Sequence, residues 1–146
     1  MSGGGATIFF VDENLLGRNI AEILQKAGAN VELLSDHFPM QTSDVEWLTE
    51  VSQRNWIVLS RDLSIGINIP EVVAVAQGNA KMFALAMGNS PWDEIERDLA
   101  IAIPKMKRFA SSHKAPFIAR VYPYAKIKMW LDRKRLLKTL RQYAPD

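Results

Sequence analysis

The chain has 146 residues, of which 48% are hydrophobic and 23% are charged, and it contains no cysteine. These values are those of one ordinary globular domain, and they exclude a disulfide framework, a thiolate metal site and a cysteine nucleophile. No apolar segment reaches the ~18 residues of a membrane-spanning helix, and no secretion signal precedes the first predicted strand. We therefore expect a single cytoplasmic domain over residues 1–146 with no membrane partner, and residues 1–6 as a flexible leader.

Five apolar segments predict strands, and helical repeats of apolar residues alternate with them. The first segment, ATIFFVD, is apolar until Asp12, which is typical of a strand buried on both faces of a parallel sheet. Gly28 stands where a left-handed residue would end the first helix. The predicted strands are residues 6–12, 29–34, 55–60, 80–87 and 116–122. The predicted helices begin near residues 15, 42, 70 and 90.

Local signals refine two of these helices. In the second helix, the spacing predicts that Val45 and Leu48 face inward, with Trp47 at the flank. In the fourth helix, Ser90 suits the N-cap position, and Pro104 is expected to kink or split the helix.

Strands that alternate with helices predict an α/β fold, a three-layer sandwich with a mainly parallel central sheet of about five strands. In such folds, ligands bind beyond the carboxyl ends of the strands. Asp12 ends the first strand and Asp62 follows the third, so both are expected at this edge. Asp44 and Glu46 lie in the first turn of the helix that leads from the second strand to the third, and this helix begins at the same edge.

Carboxylates that converge raise one another's pKa unless a cation neutralises them. Magnesium and manganese prefer hard oxygen ligands and bind through a few carboxylates together with substrate phosphate. The sequence therefore predicts a Mg²⁺ or Mn²⁺ site at this edge, where the bound ion would activate water for attack on a phosphodiester. A zinc hydrolase is not supported, because the chain has two histidines and neither belongs to a zinc-binding motif. A phosphate-binding P-loop motif is also missing from the sequence.

Each acid also has a structural interpretation. Asp12 and Asp62 suit local hydrogen bonding where a strand ends or a turn begins. Glu46 follows Ser43 at the spacing of a capping box, and Asp44 is favourable in a first turn because of the helix dipole. A metal-binding role for these acids is favoured over the structural interpretation because three separate segments each bring an acid to one edge.

Three segments together resemble the PIN-like domains, in particular the compact PIN-like toxins of bacterial toxin–antitoxin loci: FFVDENLLGRNIAEILQKAGANVELL, TSDVEWLTEVSQRNWIVLSRD and PFIARVY. The resemblance implies a metal-dependent endoribonuclease that is inhibited by a partner antitoxin. It also implies that Asp12, Asp44 and Asp62 hold the metal, with Glu46 as the alternative second acid. Many PIN domains carry a further acid shortly after the third, whereas residues 63–68 contain none, which weakens the case for a second metal.

Three basic side chains near these acids in the sequence are candidates for binding substrate phosphates: Arg61, Arg18 and His37. Their competing interpretation is the more common one, in which such a residue is solvated or paired with a carboxylate.

The end of the chain is strongly basic, since residues 126–141 contain seven Lys and Arg against Asp132 alone. The sequence predicts a basic helical tail over residues 126–146, with apolar residues along one side. This tail could pack on the domain, bind RNA through its phosphates, or bind an antitoxin or a second subunit in a homodimer. Packing or a protein interface is favoured, because the apolar side must be covered.

The leading interpretation is a Mg²⁺- or Mn²⁺-dependent endoribonuclease, the toxin of a toxin–antitoxin pair, that hydrolyses RNA by metal-activated water. One alternative is a receiver-like signalling domain phosphorylated on Asp62, because receivers also place acids after their first and third strands. Receivers need a lysine at the end of the fifth strand, where this chain has FIARVYP. The other alternative is a catalytically inactive PIN-like module that binds RNA or protein.

Overall fold

The computed structural model describes residues 7–12, 19–61 and 68–143 of the chain. Within these ranges, six strands form one sheet in the order β2-β1-β3-β4-β5-β6. Neighbouring strands are parallel from β2 to β5, and β6 is antiparallel to β5. The strands are β1 Ile8–Val11, β2 Asn30–Leu33, β3 Ile57–Ser60, β4 Lys81–Leu85, β5 Phe117–Tyr122 and β6 Lys126–Leu131. The prediction of an α/β fold with a mainly parallel sheet is confirmed, with one strand more than expected.

Helices cover both faces of the sheet, which makes the three-layer sandwich that the sequence predicted. The helices are α1 Ile20–Lys26, α2 Leu34–His37, α3 Asp44–Gln53, α4 Ile69–Gly78, α5 Trp92–Ser112 and α6 Arg133–Tyr143, with a 3-10 helix at Pro123–Ala125. Helices α1 and α5 pack on one face, and α3 and α4 pack on the other. Of the helices in the described ranges, none combines the length and apolar character that crossing a membrane requires.

The central strands are apolar on both sides because each side meets a layer of helices. Phe9 and Phe10 of β1 are both fully buried, Phe9 on the α1/α5 face and Phe10 on the α3/α4 face. Burying one such side chain contributes about 1.5–3 kcal/mol relative to leaving it exposed. All four residues of β3 are buried as well. Gly28 follows α1 with φ of 90°, as the sequence predicted for a residue that ends this helix.

The predicted basic helix over residues 126–146 is wrong in its first part, because Lys126–Leu131 form strand β6. Helix α6 starts only at Arg133. The alternation of the strand places Ile127 and Met129 against the core of the α1/α5 face, whereas Lys126 and Lys128 are exposed. The residues that fitted one side of a helix therefore belong to two different elements.

The expectation that the tail packs on the domain is confirmed for the described residues. Helix α6 packs against α4, and Leu136 is fully buried in the core of the α3/α4 face. The basic residues of α6 remain exposed on its outer side, at Arg133, Lys134, Arg135, Lys138 and Arg141.

Three local predictions about the helices are corrected. Val45 is 41% exposed, whereas Trp47, expected at the flank, is buried with 6% of its surface exposed. Of the kink or split expected at Pro104, the split is wrong, because helix α5 continues through this residue. Its N-cap is Pro91, and the Ser90 hydroxyl donates instead to the carbonyl oxygen of Met87 at 2.7 Å.

Candidate functional site

The candidate site lies where the order of the strands reverses. The chain passes from β1 to β2 on one side and then from β2 to β3 on the other side of β1, so the carboxyl ends of β1 and β3 meet at a topological switch point. Such a point is where doubly wound sheets bind ligands. Val11 pairs with Leu59, so Asp12 and Ser60 are the next residues at this edge. The placement of Asp12 at the carboxyl edge is thus as the sequence predicted.

Asp12 is half-buried directly after β1. Alternation along the strand gives it the same face as Phe10, which is the α3/α4 face. Phe10 contacts Trp47 of α3, with the ring centroids 5.5 Å apart. The helix that carries Asp44 is therefore packed on the face of β1 to which Asp12 belongs.

Asp44 is the first residue of α3, and its carboxylate oxygen Oδ1 accepts a hydrogen bond from Nε1 of Trp47 at 3.0 Å. Because Trp47 is buried, this hydrogen bond satisfies an indole N–H and holds the exposed carboxylate of Asp44 at the start of the helix. Asp44 thus has a structural contact in addition to its predicted role as a ligand.

Glu46 lies two residues further on, and its side chain is exposed. Ser43 is the N-cap of α3, and its hydroxyl accepts a hydrogen bond from the backbone N–H of Glu46 at 3.3 Å. This is the hydroxyl half of the capping box that the spacing of the two residues suggested.

No three acidic or histidine side chains come together as a metal site within residues 7–12, 19–61 and 68–143. Asp62, the third predicted ligand, and Arg18 lie outside the described residues. The described donors, Asp12 and Asp44, are carboxylates, the ligand type that Mg²⁺ and Mn²⁺ prefer. A metal site formed by Asp12, Asp44 and Asp62 therefore stays a prediction.

His37 ends the short helix α2 and is engaged by neighbouring side chains. Its Nε2 lies 2.6 Å from a carboxylate oxygen of Glu32, and its ring meets Trp56 edge-on with centroids 5.1 Å apart. These contacts give His37 a packing role at the end of β2, and its predicted role in binding phosphate stays a prediction.

Arg61 follows β3 at the carboxyl edge and is exposed. Its Nη2 donates a hydrogen bond to the carbonyl oxygen of Gly88 at 3.3 Å. Its guanidinium carbon lies 5.9 Å from the centre of the Trp92 ring. Arg61 is therefore positioned by the loop after β4, with its charge still open to solvent.

Trp92 is the residue at this edge that the sequence reasoning missed. It occupies the first position of α5, and 47% of its surface is exposed. The sequence offered only the tripeptide SPW at the start of this helix, and a helix start does not decide exposure, since Ile20 at the start of α1 is buried.

The chain belongs to the PIN-like domain family. The family model described as "PIN like domain" matches residues 7–87, which is more than half of the chain and includes β1 to β4 together with Asp12, Asp44 and Arg61. The resemblance seen in the sequence is confirmed at the level of this family. No curated protein and no solved structure gives a match to the chain.

Proposed function

We propose that this protein is a divalent-metal-dependent endoribonuclease in which Asp12, Asp44 and Asp62 bind Mg²⁺ or Mn²⁺. The observation that carries the proposal is the position of Asp12 at the switch point of the sheet, on the face where α3 presents Asp44. Membership of the PIN-like family supports it, because many of these domains are nucleases. RNA as the substrate follows from the resemblance to PIN-like toxins.

The described residues would have different roles in binding the metal and the substrate. Asp12, fixed at the end of a buried strand, would provide a rigid carboxylate ligand. Asp44 would provide a second carboxylate, oriented by its hydrogen bond to Trp47. The chemistry supplied by a bound divalent ion is activation of water for in-line attack on a phosphodiester, which leaves a 5′-phosphate. The exposed guanidinium of Arg61 would meet another phosphate of the substrate at the carboxyl edge of β3.

The decisive experiment compares Asp12→Asn with the wild-type protein. Asparagine keeps the shape of the side chain but removes the charge that a divalent ion requires. We expect the variant to cleave labelled RNA no faster than the wild-type protein in EDTA and to lose the binding of Mn²⁺ in calorimetry. Asp36→Asn is the matched control, because Asp36 is an exposed acid in α2. Wild-type rates in the Asp12 variant would refute the assignment.

A second pair of variants separates Asp44 from Glu46 as the second ligand. In Asp44→Asn, the amide oxygen can still accept the hydrogen bond from Trp47, so the variant tests the charge with little effect on packing. We expect it to lose cleavage and to keep its thermal unfolding midpoint, whereas Glu46→Gln keeps both. The reverse pattern would assign the ligand to Glu46.

The toxin role and the antitoxin are proposals that rest on the resemblance to PIN-like toxins, whereas the homodimer is a proposal that rests on the apolar side of the C-terminal tail. A toxin of this class would act in the cytoplasm, where its RNA substrates are. Expression of the wild-type chain should stop cell growth, Asp12→Asn should not, and the product of the adjacent gene should restore growth. Normal growth with a soluble, metal-binding wild-type protein would refute the toxin role. It would not refute RNA hydrolysis, which the cleavage assay tests separately.

The catalytically inactive module is the outcome to expect if the wild-type protein neither binds Mn²⁺ nor cleaves RNA. The receiver-like alternative has no comparable support, because β5 ends with Tyr122 where a receiver needs a lysine, and its basic residue, Arg120, lies two places early. The guanidinium of Arg120 lies over the ring of Trp130, 3.4 Å from its centre, which is a packing arrangement.

A further inference from the structure

We propose that Trp92 and Arg61 form a binding site for one nucleobase of single-stranded RNA, beside the proposed hydrolytic site. This inference rests on the proposed function and adds how the substrate is held. It concerns the loop after β4 and the start of α5, and Trp92 lies beyond the residues that the family model matches.

Trp92 differs from the other three tryptophans of the chain in its surroundings. Trp47 is in the core, Trp56 stacks on Phe10 with ring centroids 5.8 Å apart, and Trp130 lies under Arg120. Trp92 alone among the four has an exposed side chain, at 47%. An exposed indole ring is a flat apolar surface on which any nucleobase can stack.

The loop that carries Trp92 is held in place by hydrogen bonds. The carbonyl oxygen of Met87 accepts hydrogen bonds from the Ser90 hydroxyl at 2.7 Å and from the Ser90 backbone N–H at 3.2 Å. The carbonyl oxygen of Gly88 accepts the hydrogen bond from Arg61. Pro91 then fixes the backbone directly before Trp92. A ring presented by an ordered loop loses little conformational entropy when a base stacks on it.

Arg61 provides the charge that a nucleotide needs in addition to a stacking surface. Its guanidinium lies over the Trp92 ring, and both side chains border a small hollow whose apolar floor is formed by Leu85, Met87 and Ile95. A base stacked against Trp92 would bring its own phosphate next to the guanidinium. Indole and guanidinium together thus match the two parts of a nucleotide, its aromatic base and its anionic backbone.

The site lies along the carboxyl edge from Asp12. In the described sheet, β3 lies between β1, which ends before Asp12, and β4, which leads into the loop. Two steps of strand spacing amount to about 10 Å. Arg61 alternates onto the α1/α5 face, whereas Asp12 belongs to the α3/α4 face. An RNA strand would therefore cross the carboxyl edge of β3, with one base on Trp92 and a neighbouring phosphate at the acids.

The test measures RNA binding in EDTA, so that cleavage plays no part. The probe is a short fluorescein-labelled single-stranded RNA, and the readout is its fluorescence anisotropy. We expect Trp92→Ala to weaken binding by about 5- to 150-fold, the range for the loss of one stacked base. Trp92→Phe, which keeps an aromatic face, should retain most of the affinity. Tyr143→Ala is the matched control, because Tyr143 is an aromatic residue of similar exposure, 49%, at the end of α6.

A second probe makes the result specific to stacking. An RNA of the same length without bases keeps the phosphates, so the wild-type protein should bind it more weakly than the normal RNA, whereas Trp92→Ala should bind both RNAs equally. Unchanged affinity of Trp92→Ala for the normal RNA, or a wild-type protein that binds no RNA, would overturn the inference. The proposed hydrolysis is decided separately by Asp12→Asn. Cleavage that depends on Asp12 but is indifferent to Trp92 would leave the function standing and the base site refuted.

Discussion

Asp98 offers a test of how the last part of the sheet is joined to the rest of the domain. Its carboxylate is buried in α5, with 3% of the residue exposed, and Oδ2 accepts a hydrogen bond from the backbone N–H of Tyr124 at 3.0 Å. Tyr124 and Ala125 have positive φ values of 64° and 60°, so the 3-10 turn between β5 and β6 adopts a backbone that needs support. We therefore predict that Asp98→Ala destabilises the fold.

The expected size follows from the contacts of the carboxylate. A hydrogen bond to a charged group is worth about 1.5–3 kcal/mol, and its loss leaves the Tyr124 N–H without its acceptor. The second contact, with Nε of Arg97 at 3.4 Å, adds little because 57% of the Arg97 side chain is exposed. A loss of about 2 kcal/mol should lower the unfolding midpoint by about 4 to 8 °C in a domain of this size.

The assays are thermal unfolding, which gives the midpoint, and urea unfolding, which gives the free energy. Each is followed by circular dichroism and by tryptophan fluorescence, whose agreement supports a two-state treatment. Asp98→Asn should be milder than Asp98→Ala, because the amide oxygen can still accept from Tyr124. Arg97→Gln should change the free energy of unfolding by no more than about 0.5 kcal/mol. If Asp98→Ala were neutral or stabilising, the cost of burying this carboxylate would outweigh its hydrogen bonds, and the reasoning would be wrong.

Three further predictions concern other parts of the fold. Gly78→Ala should destabilise the fold by about 1–3 kcal/mol, because the new Cβ would lie 3.1 Å from backbone atoms of α3. This cost should exceed the gain from the better helix propensity of alanine, and a raised urea midpoint would contradict the prediction. Burial lowers the pKa of Lys81 below 10.5, so the unfolded chain binds more protons between the folded pKa and 10.5 and stability should rise with pH there. In Lys81→Met this rise should be smaller, and equal slopes of urea midpoint against pH would refute the link. Helix α6 would contact RNA through its exposed residues Lys134, Lys138 and Arg141. If it does, replacing all three with Gln should reduce the slope of the logarithm of the RNA-binding constant against the logarithm of salt concentration by about 2, since each phosphate contact on a single strand contributes about 0.7. An unchanged slope would exclude the contact.

The central parallel strands β1 and β3 were predictable because they are largely buried on both faces. A strand in the middle of a three-layer sandwich must be apolar at nearly every position, as β1 is throughout and β3 is until Ser60 at its end. Such runs are too short to be helices of ordinary length and are rich in β-branched and aromatic residues.

Strand β6 was missed because its sequence fits both the two-residue alternation of a strand and the apolar spacing of a helix. Lys126 to Met129 alternate basic and apolar residues, as a half-buried edge strand does, but the apolar residues of this segment also continue at helical spacing into α6. The tight turn that reverses the chain uses left-handed backbone at Tyr124 and Ala125, residue types that carry no turn signal. Tertiary contacts, among them that of Asp98, decide the structure at this point.

The candidate site was predictable where it depends on topology and unpredictable where it depends on packing. Asp12 and Asp44 were expected at the carboxyl edge because the ends of parallel strands and the starts of the following helices meet there. The approach of Arg61 to Trp92 depends on side chains from separate elements, which no local pattern specifies. The hydrogen bond from Trp47 to Asp44 lies within α3, but it depends on the burial of Trp47, which was expected at the flank of the helix.

The exposed lysines of β6 have a consequence for how molecules of this protein meet. At one end of the sheet, β6 presents a backbone edge that pairs with no strand within residues 7–12, 19–61 and 68–143, and a strand of another chain can add to such an edge. A second copy docked antiparallel along this edge would bring Lys126 and Lys128 close to their own counterparts, and such like-charge contacts discourage runaway sheet extension. Two of the basic residues near the end of the chain, Lys126 and Lys128, thus have a role in preventing aggregation that requires no ligand.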